Sequence, residues 1–269
     1  MWPAVVVVIR GGGDIGTGVA HRLCKSGFDV VITEIENPLV IRRTVAFAQA
    51  VHQGQTTVEG VTAIRARETK EIAALLKEGH VPVIVDPACM LAREINAGVV
   101  VDATLAKRTT GMSRDMAPLT IALGPGCEAG KDVHVVIETN RGHNLGRVIL
   151  KGCAEPNTGI PEAVLGYGEE RVLRAPCDGS VRNILAIGDE VKRDATVCYV
   201  GAAEVKAALT GVVRGLLLDG MKVKKGLKIG DIDPRGRKEY CYTISDKARA
   251  IGGGVLEAIL GSDLHFLLK

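Results

Sequence analysis

Short apolar runs alternate with amphipathic stretches from Ala4 to Thr139. The runs Ala4–Ile9, Val30–Glu34, Val81–Asp86, Val99–Asp102, Leu119–Leu123 and Val133–Thr139 predict strands. Between them, Ile15–Ser26, Leu39–Val51, Thr69–Glu78 and Pro87–Ala97 have helical periodicity. Val81-Pro82-Val83-Ile84-Val85 is apolar at successive positions, as a strand covered on both faces requires. Gly79 and Gly98 stand where helices end ahead of strands. The alternation predicts an α/β domain over residues 1–168, with a Rossmann-like, doubly wound, mostly parallel sheet.

After about Arg174 the pattern changes. Gly179–Arg193 and Gly211–Lys225 repeat each other at an offset of 32 residues, each reading as strand, glycine turn, short strand. Two such units predict a small β barrel-sandwich-hybrid domain of the biotinyl/lipoyl type over residues 169–236. Its joint, Gly201–Thr210, holds Lys206 without flanking methionines, and Met221-Lys222 falls in the second copy instead. Neither biotin nor lipoate is therefore expected. Residues 237–269 form a C-terminal helical segment. There Ser245 or Asp246 would cap a helix to Leu260 with Ala248, Ile251, Val255, Leu256 and Ile259 on one stripe. Gly252-Gly253-Gly254 inside it costs roughly 1 kcal/mol per residue relative to Ala. Close packing on another backbone, or a break into two helices, would account for it.

Composition narrows the function classes. Of 269 residues 46% are hydrophobic, enough for a packed core, and only 3% are aromatic, so Val, Ile, Leu and Ala must fill it. Thirty-four basic residues nearly balance 31 acidic ones, for a net charge of +3, which gives no electrostatic case for nucleic acid. The seven cysteines are dispersed without a C-x-x-C, as in reduced thiols of a cytoplasmic protein. The apolar N-terminus lacks the basic region of a secretory signal. Nothing approaches the roughly 18 uninterrupted apolar residues of a membrane span.

The candidate chemistry begins where the first strand ends. Gly11, Gly13 and Gly16 make G-x-G-x-x-G around Asp14 and Ile15, with a strand before and a helix after. Such a turn directs backbone N–H groups and a positive helix end at one point, which suits a phosphate. Glu34 closes the next strand, 18 residues after Gly16, near the roughly 20-residue spacing of a ribose-binding acid. The alternative is a tight turn with no ligand. Arg42-Arg43 could shift the preference towards a 2′-phosphate, or simply be solvated. A second turn, Gly124-Pro125-Gly126-Cys127, could offer N–H groups to another anion; Cys127 reads as a small buried side chain or a nucleophile without a placed base. Asp102, Lys107, His134, Glu138, Arg141 and His143 are candidates for contacting the rest of a ligand. His134 and Glu138 would share a face of one strand. The spacing from His134 to His143 matches no zinc signature, so no metal is expected, and no catalytic residue is assigned.

Several strings together resemble one family: GGGDIGTGVAHRL (11–23), TEIENPLVIRRTV (33–45), ALGPGCEAGKDVHVVIETNRGHNLGRV (122–148), PNTG (156–159), GLKIGDIDPRG (226–236) and SDKARAIGGGVLEAI (245–259). They resemble the YqeB family, accessory proteins of the selenium-dependent molybdenum hydroxylase system, with a distant similarity to xanthine dehydrogenase accessory factors. The resemblance implies a maturation factor whose partner is a molybdenum hydroxylase client. Combined with the glycine turns, it leads to a cytoplasmic protein binding NAD(P) or a molybdopterin nucleotide, with a homo-oligomer allowed for. The rival readings are an NAD-dependent oxidoreductase, with His134 or Lys107 as proton donor, and a non-catalytic scaffold.

Overall fold

The computed structural model describes residues 5–157, 159–161 and 163–262. The chain divides into two compact units, one of Met1–Pro38, Ala46–Asn157 and Ile244–Lys269, the other of Leu39–Val45 and Thr158–Thr243. The chain from Ile244 onward thus belongs with the first unit, and residues 237–243 with the second.

The first unit is built on one nine-stranded sheet. Its strands are β1 (Val6–Arg10), β2 (Asp29–Glu34), β3 (Gln55–Val58), β4 (Val61–Ala66), β5 (Val81–Val85), β6 (Val99–Asp102), β7 (Leu119–Leu123), β8 (Val135–Ile137) and β9 (Val148–Ile149), in the order β3-β4-β5-β2-β1-β6-β7-β8-β9. The seven from β4 to β8 in that order run parallel, while β3 and β9 pair antiparallel at the two edges. Strand order reverses at β1. Connections leaving β1 and β6 therefore part in opposite directions and open a crevice at the carboxyl edge.

Among the described residues five helices accompany the sheet: α1 (Asp14–Lys25), α2 (Ala50–Gln53), α3 (Thr69–Lys77), α4 (Leu91–Glu94) and α5 (Asp246–Leu260). Val6, Val8, Val31, Val100 and Val136 pack with Ile72, Leu76, Leu91 and Ala92 of α3 and α4. Ile137 points the other way and lies against Gly254 of α5. There α5 crosses α1 at backbone contact: a Cβ on Gly18 would come within 2.6 Å of the Ala248 Cβ, and one on Gly252 within 3.1 Å of the Gly18 carbonyl oxygen, while one on Gly254 would stand 2.1 Å from the carbonyl oxygen of Gly146, in the loop before β9. The helix is unbroken, so close packing accounts for two of the three consecutive glycines. Ser245 caps it, its hydroxyl accepting from the Ala248 N–H at 3.2 Å.

The second unit consists of two antiparallel four-stranded sheets. One has the order β10 (Val172–Arg174), β17 (Lys228–Asp233), β15 (Gly211–Leu216), β12 (Glu190–Val191); the other β14 (Ala203–Lys206), β13 (Thr196–Val200), β11 (Gly179–Asn183), β16 (Lys222–Val223). The 32-residue repeat maps β11 onto β15, β12 onto β16 and β13 onto β17. The copies exchange partners, β11 pairing with β16 and β12 with β15. The segment Leu39–Val45 joins this unit as a strap, the Leu216 N–H donating to the Ile41 carbonyl at 2.8 Å.

These observations correct the fold expected from sequence. The molecule is mixed α/β, with one large mixed sheet and separate antiparallel sheets, not a Rossmann-like doubly wound sheet followed by a barrel-sandwich module. The helical layers of a doubly wound sheet are incomplete. Leu39–Val51 forms the strap, two 3-10 turns at Arg43–Val45 and Phe47–Gln49, and the single turn α2. Pro87–Ala97 yields only α4, because Cys89 is left-handed at φ 56° and the Asp86 carboxylate accepts from the Leu91 N–H at 2.8 Å, starting the helix late. The smaller unit also exceeds residues 169–236, drawing in the strap and the 3-10 turn Lys238–Cys241.

The three helix glycines separate by substitution. Gly254→Ala should lower stability by about 1–3 kcal/mol through overpacking, whereas Gly253→Ala, whose Cβ meets nothing within 4 Å, should raise it by up to about 1 kcal/mol. Urea unfolding midpoints of the two variants measure the contrast.

Candidate functional site

The β1–α1 turn is a backbone construction. Gly11 takes φ +95°, which lets the chain reverse sharply out of β1, and its N–H donates to the Thr33 carbonyl at 2.8 Å. The Gly12 N–H donates to Glu34 Oε2 at 2.8 Å, and the Gly12 carbonyl accepts from the Ala48 N–H at 2.8 Å and the Thr17 hydroxyl at 3.1 Å. The same hydroxyl accepts from the Phe47 N–H at 2.8 Å. A Cβ on Gly16 would stand 2.1 Å from the Gly11 carbonyl oxygen, so only glycine lets the first turn of α1 close on the strand. Gly13 is different: a Cβ there meets nothing within 4 Å, so the turn is open on that side. Helix geometry gives the first-turn N–H groups no intrahelical acceptors, and the positive end of the dipole lies at this turn. Ile15 contributes its backbone, its side chain being buried. Asp14 opens the helix, where a carboxylate complements the dipole.

Several expected residues gather along this carboxyl edge. Arg10 and Asp102 are register partners on β1 and β6, and Ala103 packs against both Gly11 and Gly16. Asp102 is buried and occupied: Oδ1 accepts from the Thr104 N–H and hydroxyl at 2.9 and 2.6 Å, and Oδ2 from the Thr110 hydroxyl at 2.5 Å. Lys107 is exposed on the loop that follows. That loop shapes the second glycine turn, since a Cβ on Gly126 would lie 2.4 Å from the Ala106 carbonyl oxygen; after β8, the Thr139 hydroxyl would stand 2.8 Å from a Cβ on Gly124. The cavity there is about 10 Å³, about the size of one water, and no room for a second anionic ligand group. Burial, followed by the nearby Asp102 and Asp132 carboxylates, pushes the buried Cys127 thiol up to about 11, which leaves it protonated rather than nucleophilic.

Others are placed elsewhere or already engaged. The strand expected at Val133–Thr139 is only β8, so His134 precedes it and Glu138 follows it, at opposite ends of the sheet. His134 Nδ1 accepts from the Thr120 N–H at 3.0 Å, and burial, then the Arg114 charge, lowers its pKa. Glu138 is buried beneath the carboxyl edge, accepting from the Thr139, Asn140 and Glu155 N–H groups at 2.7 Å each. It also lines an open groove of about 510 Å³ with Arg147, Lys151 and Glu155. Arg141 forms a two-pronged ion pair with Asp246 at the start of α5, and His143 is exposed. Among the described residues no three His, Cys, Asp or Glu side chains converge on a metal position.

The residue that sequence reading missed is Arg10. Its Nε and Nη2 donate to the Pro87 carbonyl at 3.0 and 2.7 Å, and its Nη1 to the Thr110 carbonyl and hydroxyl at 2.8 and 3.0 Å. It ties the loops after β5 and β6 to the end of β1. The signal was present: a lone cation closes an otherwise apolar strand directly before the glycines.

No family model matches the chain. "Uncharacterized protein YqeB" of Escherichia coli (strain K12) is 57% identical over 255 residues, covering 95% of this chain and 47% of that protein. This supports the YqeB resemblance. The chain spans about half the length of that relative. Among solved structures, the ectoine utilization protein EutE (DoeB) from Ruegeria pomeroyi is 12% identical with a TM-score of 0.27, over 86% of this chain and 85% of that one. An aspartoacylase family protein from Mesorhizobium loti is 13% identical with a TM-score of 0.28 over the same shares. Likeness at that level carries no argument about fold or chemistry. No helix among the described residues is long and apolar enough to cross a membrane.

The turn's geometry gives a direct contrast between its glycines. Gly13→Ala should leave the melting temperature nearly unchanged, and Gly16→Ala should cost about 1–3 kcal/mol or abolish folding; thermal melts decide it. Alkylation at pH 8 should modify exposed Cys153 first and leave buried Cys89, Cys127, Cys198 and Cys241 unmodified until the chain unfolds, as read by peptide mass spectrometry.

Proposed function

We propose that this chain is an accessory and maturation factor for selenium-dependent molybdenum hydroxylases, and that it holds a nucleotide-bearing ligand, either a dinucleotide or a molybdopterin nucleotide, at the β1–α1 turn. The observation that carries the reading is the open side of Gly13. It lies at the reversal of strand order, with the first-turn N–H groups of α1 behind it and Glu34 closing the adjacent strand. A phosphate there would take the helix N–H groups. Glu34 already accepts from the Gly12 and Ile35 N–H groups at 2.8 Å each. Its remaining lone pairs would meet a ribose hydroxyl, and its charge would select against a 2′-phosphate. The exposed Lys107 supplies a cation on the neighbouring loop. The maturation role rests on the similarity to YqeB and on the family that the sequence resembles.

Of the two proton donors that hydride transfer would use, His134 sits at the amino end of β8, away from the glycine turn, and is hydrogen-bonded to Thr120. Lys107 is exposed on the loop after β6, where its charge suits a phosphate.

Calorimetry with NAD+, FAD and the dinucleotide forms of molybdopterin tests the proposal. At least one should bind with a Kd below about 1 mM. Gly13→Asp, which places a carboxylate in the open side of the turn, should abolish that binding while the variant still melts cooperatively. Absence of binding by every one of these ligands, or equal affinity in the variant, would refute the nucleotide site and leave a scaffold.

A further inference from the structure

The second unit contains a guanidinium that the fold leaves without hydrogen bonds. Arg214 lies on β15 at a bulge, where the pairing with β17 shifts between Val213–Ile232 and Gly215–Asp231. An extra residue at such a point re-aims its side chain out of the regular pleat. Only 14% of the Arg214 side chain is exposed, yet none of its five donors makes a hydrogen bond among the described residues, and its Nε is fully buried. Its nearest carboxylate oxygen, Asp233 Oδ2, is 3.7 Å from Nε, outside hydrogen-bonding range.

That carboxylate is already taken. Asp233 accepts from the Arg235 N–H, Nε and Nη2 at 3.0, 2.9 and 2.6 Å. The Arg235 guanidinium also lies over the Tyr240 ring, 4.6 Å from its centre. Asp231 is shared by Arg171 at 3.4 Å and Lys228 at 3.7 Å. Arg42, on the strap, donates to the Tyr240 and Thr243 carbonyls at 3.0 Å and adds its charge to the field at Arg214. Five cations thus surround two carboxylates. Burial, reinforced by Arg42, lowers the Arg214 pKa, so its environment as it stands opposes its charge. A largely buried guanidinium whose Nε finds no acceptor, and whose carboxylate neighbours are shared with other cations, is short of the hydrogen bonds that an added acceptor would supply.

We propose that Arg214 is the anchor of an anion subsite in the second unit, which takes a phosphate-type dianion on its unfilled guanidinium fork beside Arg42 and Arg235. A planar fork matches the spacing of phosphate oxygens, and a dianion answers the local excess of cations. The sequence marks the place: Arg42 and Arg43 were candidates for a 2′-phosphate, and the strap carries them into this unit. The inference does not depend on the nucleotide reading of the glycine turn.

The test is thermal denaturation of the full chain in chloride, acetate and inorganic phosphate at one ionic strength, for the wild type, Arg214→Gln and Gly13→Asp. Phosphate should raise the wild-type melting temperature by a few degrees over chloride, and acetate should raise it less. Gly13→Asp should keep the phosphate increment. Arg214→Gln should lose it, with a melting temperature in chloride no lower than wild type, since an unsatisfied buried charge has been removed. Overturning results are no phosphate increment in the wild type, an increment that Arg214→Gln retains, one lost only in Gly13→Asp, acetate equalling phosphate, or a lower melting temperature of Arg214→Gln in chloride. If Arg214→Gln does not fold, Arg214→Lys keeps the charge without the fork, and calorimetry should show phosphate binding about tenfold weaker; unchanged affinity would overturn the assignment.

Discussion

The first unit depends on how closely α1 approaches the end of β1. The Gly16 backbone sits where any side chain would collide with the Gly11 carbonyl oxygen. That contact fixes the direction of α1, and α1 in turn presents Gly18 to α5, so both helices are set by the same turn. Ala103 at the end of β6 fills the remaining space, and the Phe47–Gln49 turn is tied down through Ala48 and Thr17. Glycine at these positions is a packing requirement before it is a binding device. The two roles separate only at Gly13, which packs against nothing.

A carboxyl edge made this way has little side-chain chemistry to spare. Asp102 and Glu138 satisfy loop N–H and hydroxyl groups, and Arg10 satisfies carbonyls of two loops. Each holds the strand ends in place and thereby the turn that follows β1. Helix N–H groups and a fixed dipole suit recognition of a phosphate, which needs position more than reactivity.

Much of the first unit was legible because buried parallel strands write themselves as continuous Val and Ile runs, and because α1 and α3 keep their period. The failures share a cause. Leu39–Val51 has helical spacing, but tertiary pairing claims Ile41 for the edge of β15, so propensity lost to a distant partner. Pro87–Ala97 was cut short by the left-handed Cys89, which no local rule announces. The hairpin of β3 and β4 escaped notice although Glu59-Gly60, both at positive φ, turns it. The repeat at an offset of 32 was correctly located as a pattern, yet the architecture drawn from it was not, because the strap and the turn at Lys238–Cys241 enter from outside the repeat. For the site, the glycine turn and Glu34 were readable from spacing. Arg10, the separation of His134 from Glu138, and the pairing of Arg141 with Asp246 are properties of register and distance that a single chain of letters does not carry.

The most direct measurement is amide hydrogen exchange, resolved to single residues, with and without a saturating nucleotide ligand. Phosphate held by the turn predicts new protection at Gly13 to Gly16, with Gly12 and Ile35 following if the ribose engages Glu34. Binding that leaves the amides of Gly13 to Gly16 unchanged, and protects another part of the chain instead, would contradict the cradle and with it the reading of the first unit as a nucleotide holder.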